Sequence, residues 1–248
     1  MPPTGDLADD LAAAVRGPEI FAVYQPQVSL ESGSIVAAEA LCRWSHPLLG
    51  DIDPVTMIRV AERSGEIHPL GRRMLQECLD TLAGWRETGR DWAVAVNVSP
   101  VQFADASFAR HVTAEFTRRQ LARGSLVFEL PSDRQPVADR ALVSQLQMLH
   151  DIGVEVSLGG FGTGDSSRDL FPGLPLTEVK LPGHLVRSAD ADSRAALRDE
   201  VEAAHAYGLR VVAEGIETLT HLDIAVALGC DRAQGFLIRQ PDSEIVIP

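Results

Sequence analysis

The feature that most constrains the fold of this chain is a repeated alternation of short apolar runs with longer amphipathic segments. The short runs are typical of β-strands, because they are brief, rich in valine, leucine and alanine, and bounded by turn residues. Eight follow one another: "FAVYQPQ", "IVAAEALCRW", "WAVAVNVS", "LVFEL", "VEVSL", "TEVKL", "RVVAEGI" and "DRAQGFLI". Strands that alternate with helices over this length predict parallel pairing through helical crossovers.

The amphipathic segments supply the helices. "LGRRMLQECLDTLAGW", for example, places Leu75, Cys78, Leu79 and Leu82 on one helical face. The chain has 248 residues and no low-complexity linker, which fits a single α/β barrel. We therefore predict an α/β fold, a TIM-like (β/α)8 barrel, as one domain over residues 1–248 with its core at about residues 18–242.

Nearly every predicted strand ends in a polar or otherwise unusual residue. In an α/β barrel these ends converge on one mouth, where active sites lie. Buried polar groups need partners, so a convergence of this size indicates a site rather than core packing. The residues are Glu39, Leu41, Arg43, Asn97, Glu129, Gly159, Gly160, Lys180, Glu214 and Gln234.

The spacing of Glu39 and Arg43 gives a first geometric expectation. Both lie on the same strand face, about 13 Å apart at roughly 3.3 Å per residue. They cannot pair with each other, so each is expected to make its own ligand or ion contact.

Charge and composition exclude several classes of protein. The formal net charge is −13, so no basic stripe is available to bind a nucleic-acid backbone. We find no signal peptide and no apolar run long enough to span a bilayer. The three cysteines match no disulfide or metal spacing, which favours a reducing, cytoplasmic location. Lys180 is the only lysine among 22 basic residues, so its position suggests a need for a compact ammonium, although chance survival explains it equally well.

Several ordered motifs resemble the EAL domain, the bacterial family of cyclic di-GMP (c-di-GMP) phosphodiesterases. "AAEALCRW" contains the Glu-x-Leu-x-Arg signature, and "YQPQVSL", "NVSPVQF", "FGTGDSS", "VVAEGIET" and "QGF" follow at the family's other landmarks. The resemblance runs from about Phe21 to Pro241. It implies a barrel whose mouth binds c-di-GMP.

The resemblance also implies roles for individual residues. The positions that bind catalytic Mg²⁺ or Mn²⁺ are Glu39, Asn97, Glu129 and Glu214. The positions that contact the ligand are Gln25, Leu41, Arg43, Gln234 and Pro241, with Arg43 directed toward a phosphate. Lys180 and Glu214 match catalytic positions, the lysine being the one that steadies the attacking water. Glu217 matches the second acid of the "EGIE" motif.

The chain departs from the family pattern where the chemistry is most demanding. The family has two adjacent aspartates before "FGTG", which bridge the metal ions, and this chain has Gly159 and Gly160. Glycine offers no side-chain ligand, so a two-metal cleavage of a phosphodiester loses its bridging groups. This chain also differs from the family pattern at three further positions, where it has Ser132, Asp165 and Pro182.

The stretch "GGFGTGDSS" does not offer a replacement phosphate site. It fits neither G-x-G-x-x-G nor the Walker pattern, which requires Gly-Lys-Ser/Thr. A glycine pair at a strand end is more often a turn. We therefore interpret Gly159 and Gly160 as a catalytic position from which the acids are lost.

Three functions stay open at this point. The chain is a degenerate, non-hydrolytic c-di-GMP receptor, a protein-interaction module that no longer binds the nucleotide, or a weak metal-dependent phosphodiesterase that forms pGpG. No cofactor is expected if the protein is inactive. If activity persists, Mg²⁺ or Mn²⁺ is expected. An unknown protein partner and a homodimer are expected, with no nucleic acid and no membrane. The fate of the glutamates separates the functions: pairing with Lys180 across a closed cleft favours the interaction module, and a bound metal favours the enzyme.

Overall fold

The computed structural model describes residues 4–104, 106–131, 140–163, 173–188 and 191–245. Within these ranges the chain forms nine strands: β1 (Ile20–Ser29), β2 (Ile35–His46), β3 (Gly50–Ile52), β4 (Ala93–Asn97), β5 (Leu126–Leu130), β6 (Glu155–Leu158), β7 (Glu178–Leu181), β8 (Arg210–Ala213) and β9 (Arg232–Gln234). The α-helices of the same ranges are α1 (Thr4–Ala14), α2 (Pro54–Ser64), α3 (Ile67–Glu87), α4 (Ser107–Arg118), α5 (Arg140–Ile152), α6 (Gly183–Ser188), α7 (Ala191–Ala206) and α8 (Leu219–Leu228). A short 3₁₀ helix occupies Pro100–Ala104.

Eight of these strands close into a barrel, in the order β1-β2-β4-β5-β6-β7-β8-β9 and back to β1. The predicted α/β barrel is therefore confirmed. From β2 through β9 the pairs are parallel, as expected, but β1 is antiparallel to both of its neighbours. The connection from β1 to β2 explains this departure, because five residues are too few for a crossover helix and suit a hairpin. Strand β3 extends β2 as a second antiparallel hairpin outside the barrel.

The main core lies between the barrel wall and the surrounding helices. Alternate residues of each strand point outward into it, and the predicted helix face of Leu75, Cys78, Leu79 and Leu82 is buried there. A second apolar cluster joins α1, α2 and α3 to the outer face of β2 around Trp44. None of the helices in the described ranges is long and apolar enough to cross a membrane.

Helix α2 is placed by clear terminal signals. The side chain of Asp53 accepts a hydrogen bond from the Thr56 backbone N–H at 2.9 Å, and Pro54 begins the helix. Gly65 ends it in the left-handed conformation, with φ of 84°. These signals hold α2 beside the end of β2, where it forms one wall of the site.

The barrel interior changes character from one end to the other. At the N-terminal ends of the strands, Arg210 donates to Glu178 at 2.7 Å and to Glu155, and Arg232 lies 3.4 Å from Glu178. Further along the strands, Ala37, Ala93, Ala95 and Val127 form a small buried apolar cluster. The C-terminal level is polar, and it holds the candidate site.

Candidate active site

Six polar side chains from different strands meet at the C-terminal end of the barrel. This end is where α/β barrels carry their sites, because the parallel strands all finish there. The structure brings together the residues that the sequence placed at strand ends, namely Glu39, Asn97, Glu129, Lys180, Glu214 and Gln234.

Lys180 connects three of these side chains through its ammonium group. Nζ lies 2.8 Å from Glu39 Oε2, 2.9 Å from both carboxylate oxygens of Glu129 and 2.9 Å from Glu214 Oε1. Lys180 is only 2% exposed, so these contacts form away from water. An ammonium has three N–H donors, and three carboxylates use all of them.

Glu39 is the best-connected carboxylate. Its Oε1 accepts from the Asn97 amide at 2.7 Å, and its Oε2 accepts from the Gln234 amide at 2.7 Å. Gln234 also donates to Gln25 Oε1 and accepts from Gln27 Nε2, each at 3.0 Å. The register of β1 explains this network, because Gln25 lies opposite Glu39 and Gln27 lies opposite Gln234.

The buried charges shift one another's pKa values. Burial opposes ionisation of Glu39, but the Lys180 ammonium and the amide donors outweigh it and lower the pKa of Glu39 to about 2. Burial and the charge of Glu39 raise the pKa of Glu129 well above its ordinary value, against the pull of Lys180. Burial disfavours the Lys180 ammonium, yet the surrounding carboxylates hold its pKa well above the ordinary range. The site therefore keeps a permanently charged lysine.

A cavity of about 420 Å³ opens beside Glu39 and Asn97. Its walls come from β2, β4, α2, α3 and the 3₁₀ helix, and they include Leu41 and Arg43. The Arg43 Nη1 donates to the neighbouring Cys42 carbonyl oxygen at 3.0 Å. Glu39 and Arg43 therefore have separate partners, as their spacing predicts, and both face the same space.

Comparison with known proteins identifies the family. A model of the EAL domain matches residues 8–241. The chain belongs to the EAL domain family. It is 34% identical over 239 residues to the bifunctional diguanylate cyclase/cyclic di-GMP phosphodiesterase MucR of Pseudomonas aeruginosa, covering 95% of this chain and 35% of that protein. It is 30% identical over 237 residues to the cyclic di-GMP phosphodiesterase RocR of the same organism, covering 95% of this chain and 60% of that protein.

A solved EAL structure supports the same assignment. The c-di-GMP complex of the P. aeruginosa MucR phosphodiesterase aligns with a TM-score of 0.87 and 33% identity, over 96% of this chain and 97% of that one. This chain is therefore an EAL domain related to c-di-GMP phosphodiesterases. It spans about a third of the length of MucR and about three fifths of that of RocR.

The chain has no acidic side chain immediately after β6, where Gly159 and Gly160 follow Leu158. Gly159 donates its backbone N–H to the Leu130 carbonyl oxygen at 2.9 Å, and Gly160 adopts a left-handed conformation with φ of 67°. The Thr163 hydroxyl donates to the Gly160 carbonyl oxygen at 2.8 Å, which holds the turn. The glycine pair thus forms a tight turn at the mouth, as the sequence suggests.

The donor set does not fit a pair of divalent ions. Gly159 and Gly160 contribute no side-chain oxygen, and Mg²⁺ and Ca²⁺ are bound by oxygen ligands. In the ranges that the structure describes, no group of three or more histidine, cysteine, aspartate or glutamate residues is placed to hold a metal ion. The Lys180 ammonium lies among Glu39, Glu129 and Glu214, the three carboxylates that the resemblance assigns to a metal ion.

The remaining predicted positions lie at the edge of the site or beyond it. Pro241 precedes Asp242, whose backbone exchanges two hydrogen bonds with Tyr24 of β1. Gln25 reaches this segment through its amide, which lies 3.3 Å from the Arg239 carbonyl oxygen. Glu217 is exposed and lies 3.7 Å from an arginine, Arg187. Pro182 follows β7 and is half-buried. Ser132 and Asp165 lie outside the described residues.

Two glutamines of the site region were not predicted. Gln27 supports Gln234 from below, and strand alternation with Gln25 is the signal that would have found it. Gln102 lines the inner end of the cavity, and within the described ranges its buried Nε2 has no hydrogen-bond partner. No sequence pattern distinguishes Gln102 from an exposed glutamine, because its burial depends on the packing of α3.

Proposed function

We propose that this EAL domain is a c-di-GMP receptor that binds the nucleotide without hydrolysing it. One observation carries the proposal: Lys180 neutralises the carboxylates beside an open, Arg43-lined cavity, while the turn after β6 has no acid. The neutralised carboxylates permit an anionic ligand to bind in the cavity. The turn after β6 lacks the acidic groups that cleavage needs.

Charge is the main obstacle to a receptor of this kind. Three ionised glutamates without a counter-ion would repel the phosphates of c-di-GMP. Here the carboxylates hold Lys180 at 2.8–2.9 Å, and Asn97 and Gln234 donate further hydrogen bonds to Glu39. The repulsion is reduced by groups of the protein itself, so binding does not depend on an added cation.

The cavity favours a receptor over a pure protein-interaction module. A module that no longer binds the nucleotide would be expected to close the cleft over the Lys180 cluster. Instead a space of about 420 Å³ lies beside Glu39, in the range of small-molecule sites. The relatives support the ligand class, since MucR is known as a c-di-GMP complex.

Isothermal titration calorimetry with c-di-GMP in EDTA tests the proposal. We expect saturable binding, with intact nucleotide recovered after long incubation in EDTA and in Mn²⁺. The Arg43→Met variant should bind more weakly by roughly tenfold to a hundredfold, because a charge-assisted phosphate contact contributes about 1.5–3 kcal/mol. Arg63→Met is the matched control, since Arg63 is exposed on α2 and does not line the cavity.

The other functions predict different results. Absence of heat in EDTA and in Mn²⁺ would reject the receptor in favour of an interaction module. Recovery of linear pGpG in Mn²⁺ would show hydrolysis and would reject the catalytic part of the proposal. The cytoplasmic location, the homodimer and the separate protein partner stay predictions of the sequence.

A further inference from the structure

We infer that Lys180 is the resident cation of this site and takes the place of a divalent metal ion. The inference deepens the proposed function, because it states what neutralises the carboxylates during nucleotide binding. It also stands on its own geometry, and it concerns metal affinity in the absence of nucleotide.

The position of the ammonium is the first argument. Nζ lies at 2.8–2.9 Å from oxygens of Glu39 on β2, Glu129 on β5 and Glu214, which directly follows β8. Nζ therefore occupies the space between the three carboxylates. A divalent ion bound by the same three groups, at about 2.0–2.6 Å from each, would have to displace the lysine.

The second argument is that the buried Lys180 ammonium is costly to displace. Lys180 is 2% exposed and lies on β7 in the middle of the barrel wall, between β6 and β8. Its displacement would leave a buried ammonium without its three acceptors, which is costly in a dry interior. A metal ion must therefore offset the loss of the whole Lys180 network before it gains any affinity.

The glycine pair is the third argument. With Gly159 and Gly160 at the end of β6, the chain has no additional carboxylate there with which to attract an ion against Lys180. Three carboxylates remain for one ammonium, but Glu214 is 32% exposed at its side chain, so water screens part of its charge. Glu39 is satisfied by two amide donors besides the lysine.

Removal of the ammonium should create a metal site. Lys180→Met keeps an unbranched side chain as far as the Cε position and removes the ammonium, which leaves Glu39, Glu129, Glu214 and Asn97 around an apolar thioether. We expect this variant to bind one Mn²⁺ roughly tenfold or more tightly than the wild type. The assay is the loss of the free Mn²⁺ electron paramagnetic resonance signal on titration, without nucleotide.

Two controls make the result specific. Arg63→Met removes a cation that is exposed on α2 and does not line the cavity, and it should bind Mn²⁺ as weakly as the wild type does. Lys180→Met/Glu129→Gln lowers the excess of negative charge, so it is the variant to use if Lys180→Met does not fold. It should still bind Mn²⁺ more tightly than wild type through Glu39 and Glu214.

The wild type decides the inference even without a folded variant. Wild-type Mn²⁺ affinity equal to that of either Lys180 variant, or tight binding by the wild type alone, would overturn it. The inference is supported if the wild type does not bind Mn²⁺ and a folded Lys180 variant does. If neither variant folds, the absence of Mn²⁺ binding by the wild type supports the inference. These results are independent of c-di-GMP calorimetry, so a failed receptor proposal and a failed counter-ion inference are distinguishable.

Discussion

The adjacent glycines Gly159 and Gly160 give a sharp prediction, because the backbone treats them differently. A Cβ added at Gly159 would meet the Leu130 carbonyl oxygen at 3.5 Å, an ordinary contact, and Gly159 has no positive φ. Gly160 has a φ of 67°, in the left-handed region that a side chain disfavours. Gly159→Ala and Gly160→Ala therefore form a matched pair.

The expected magnitudes follow from these conformations. Alanine at residue 159 restricts the unfolded chain without strain, which stabilises the fold by about 0.4–1 kcal/mol. Alanine at residue 160 places Cβ in a left-handed backbone, which costs about 1–2 kcal/mol. The two variants should therefore differ by about 2 kcal/mol in the free energy of unfolding.

Urea denaturation followed by tryptophan fluorescence measures this difference. Equal stabilities, or a Gly160→Ala variant more stable than Gly159→Ala, would refute the argument from backbone conformation. The outcome bears on function, because it shows at which of the two positions the backbone accepts an acidic residue. The Cβ of an aspartate would meet only an ordinary contact at residue 159, whereas at residue 160 it carries the left-handed penalty.

Three further predictions concern Glu39, the basal ion cluster and Arg43. The pKa of Glu39 is lowered to about 2, so its ionised form stabilises the fold above about pH 4.5, and this stabilisation is lost as the pH falls toward 2. Between pH 5 and pH 3, the unfolding free energy of the wild type should therefore fall by about 2 kcal/mol more than that of Glu39→Gln. Equal losses in the two proteins would contradict this prediction. Arg210→Met leaves the buried Glu178 carboxylate poorly compensated, so denaturation should show a loss of about 3 kcal/mol, against about 0–1 kcal/mol for the exposed control Arg118→Met. Salt should weaken c-di-GMP binding to wild type more steeply than to Arg43→Met, because the variant lacks one charge contact; parallel salt dependences would argue against a phosphate contact by Arg43.

Much of the architecture could be predicted from local sequence patterns. All eight barrel strands were located, because strand length, apolar content and bounding turns are properties of neighbouring residues. The antiparallel direction of β1 was missed, although the five-residue connection after it is a sufficient signal for a hairpin. Helix α3 was predicted with its buried face, since the 3.6-residue period fixes which side chains point inward.

The site was predictable as a set of residues but not as an arrangement. Strand ends identified Glu39, Glu129, Lys180 and Glu214, yet their distances depend on register around the closed barrel. Lys180 and Glu39 are 141 residues apart in the chain and 2.8 Å apart in space. No pattern within one strand could show that one ammonium contacts three carboxylates.

The sequence by itself determined the number and order of the eight barrel strands, the single lysine, and the absence of an acidic side chain at Gly159 and Gly160. The tertiary structure alone decided that Lys180 pairs with three glutamates, that a cavity stays open beside Arg43, and that Gly160 is left-handed. The physical reason is the range of the interactions. Periodicity and turn preference act over a few residues, whereas ion pairing, burial and cavity shape arise only when distant strands meet in one register.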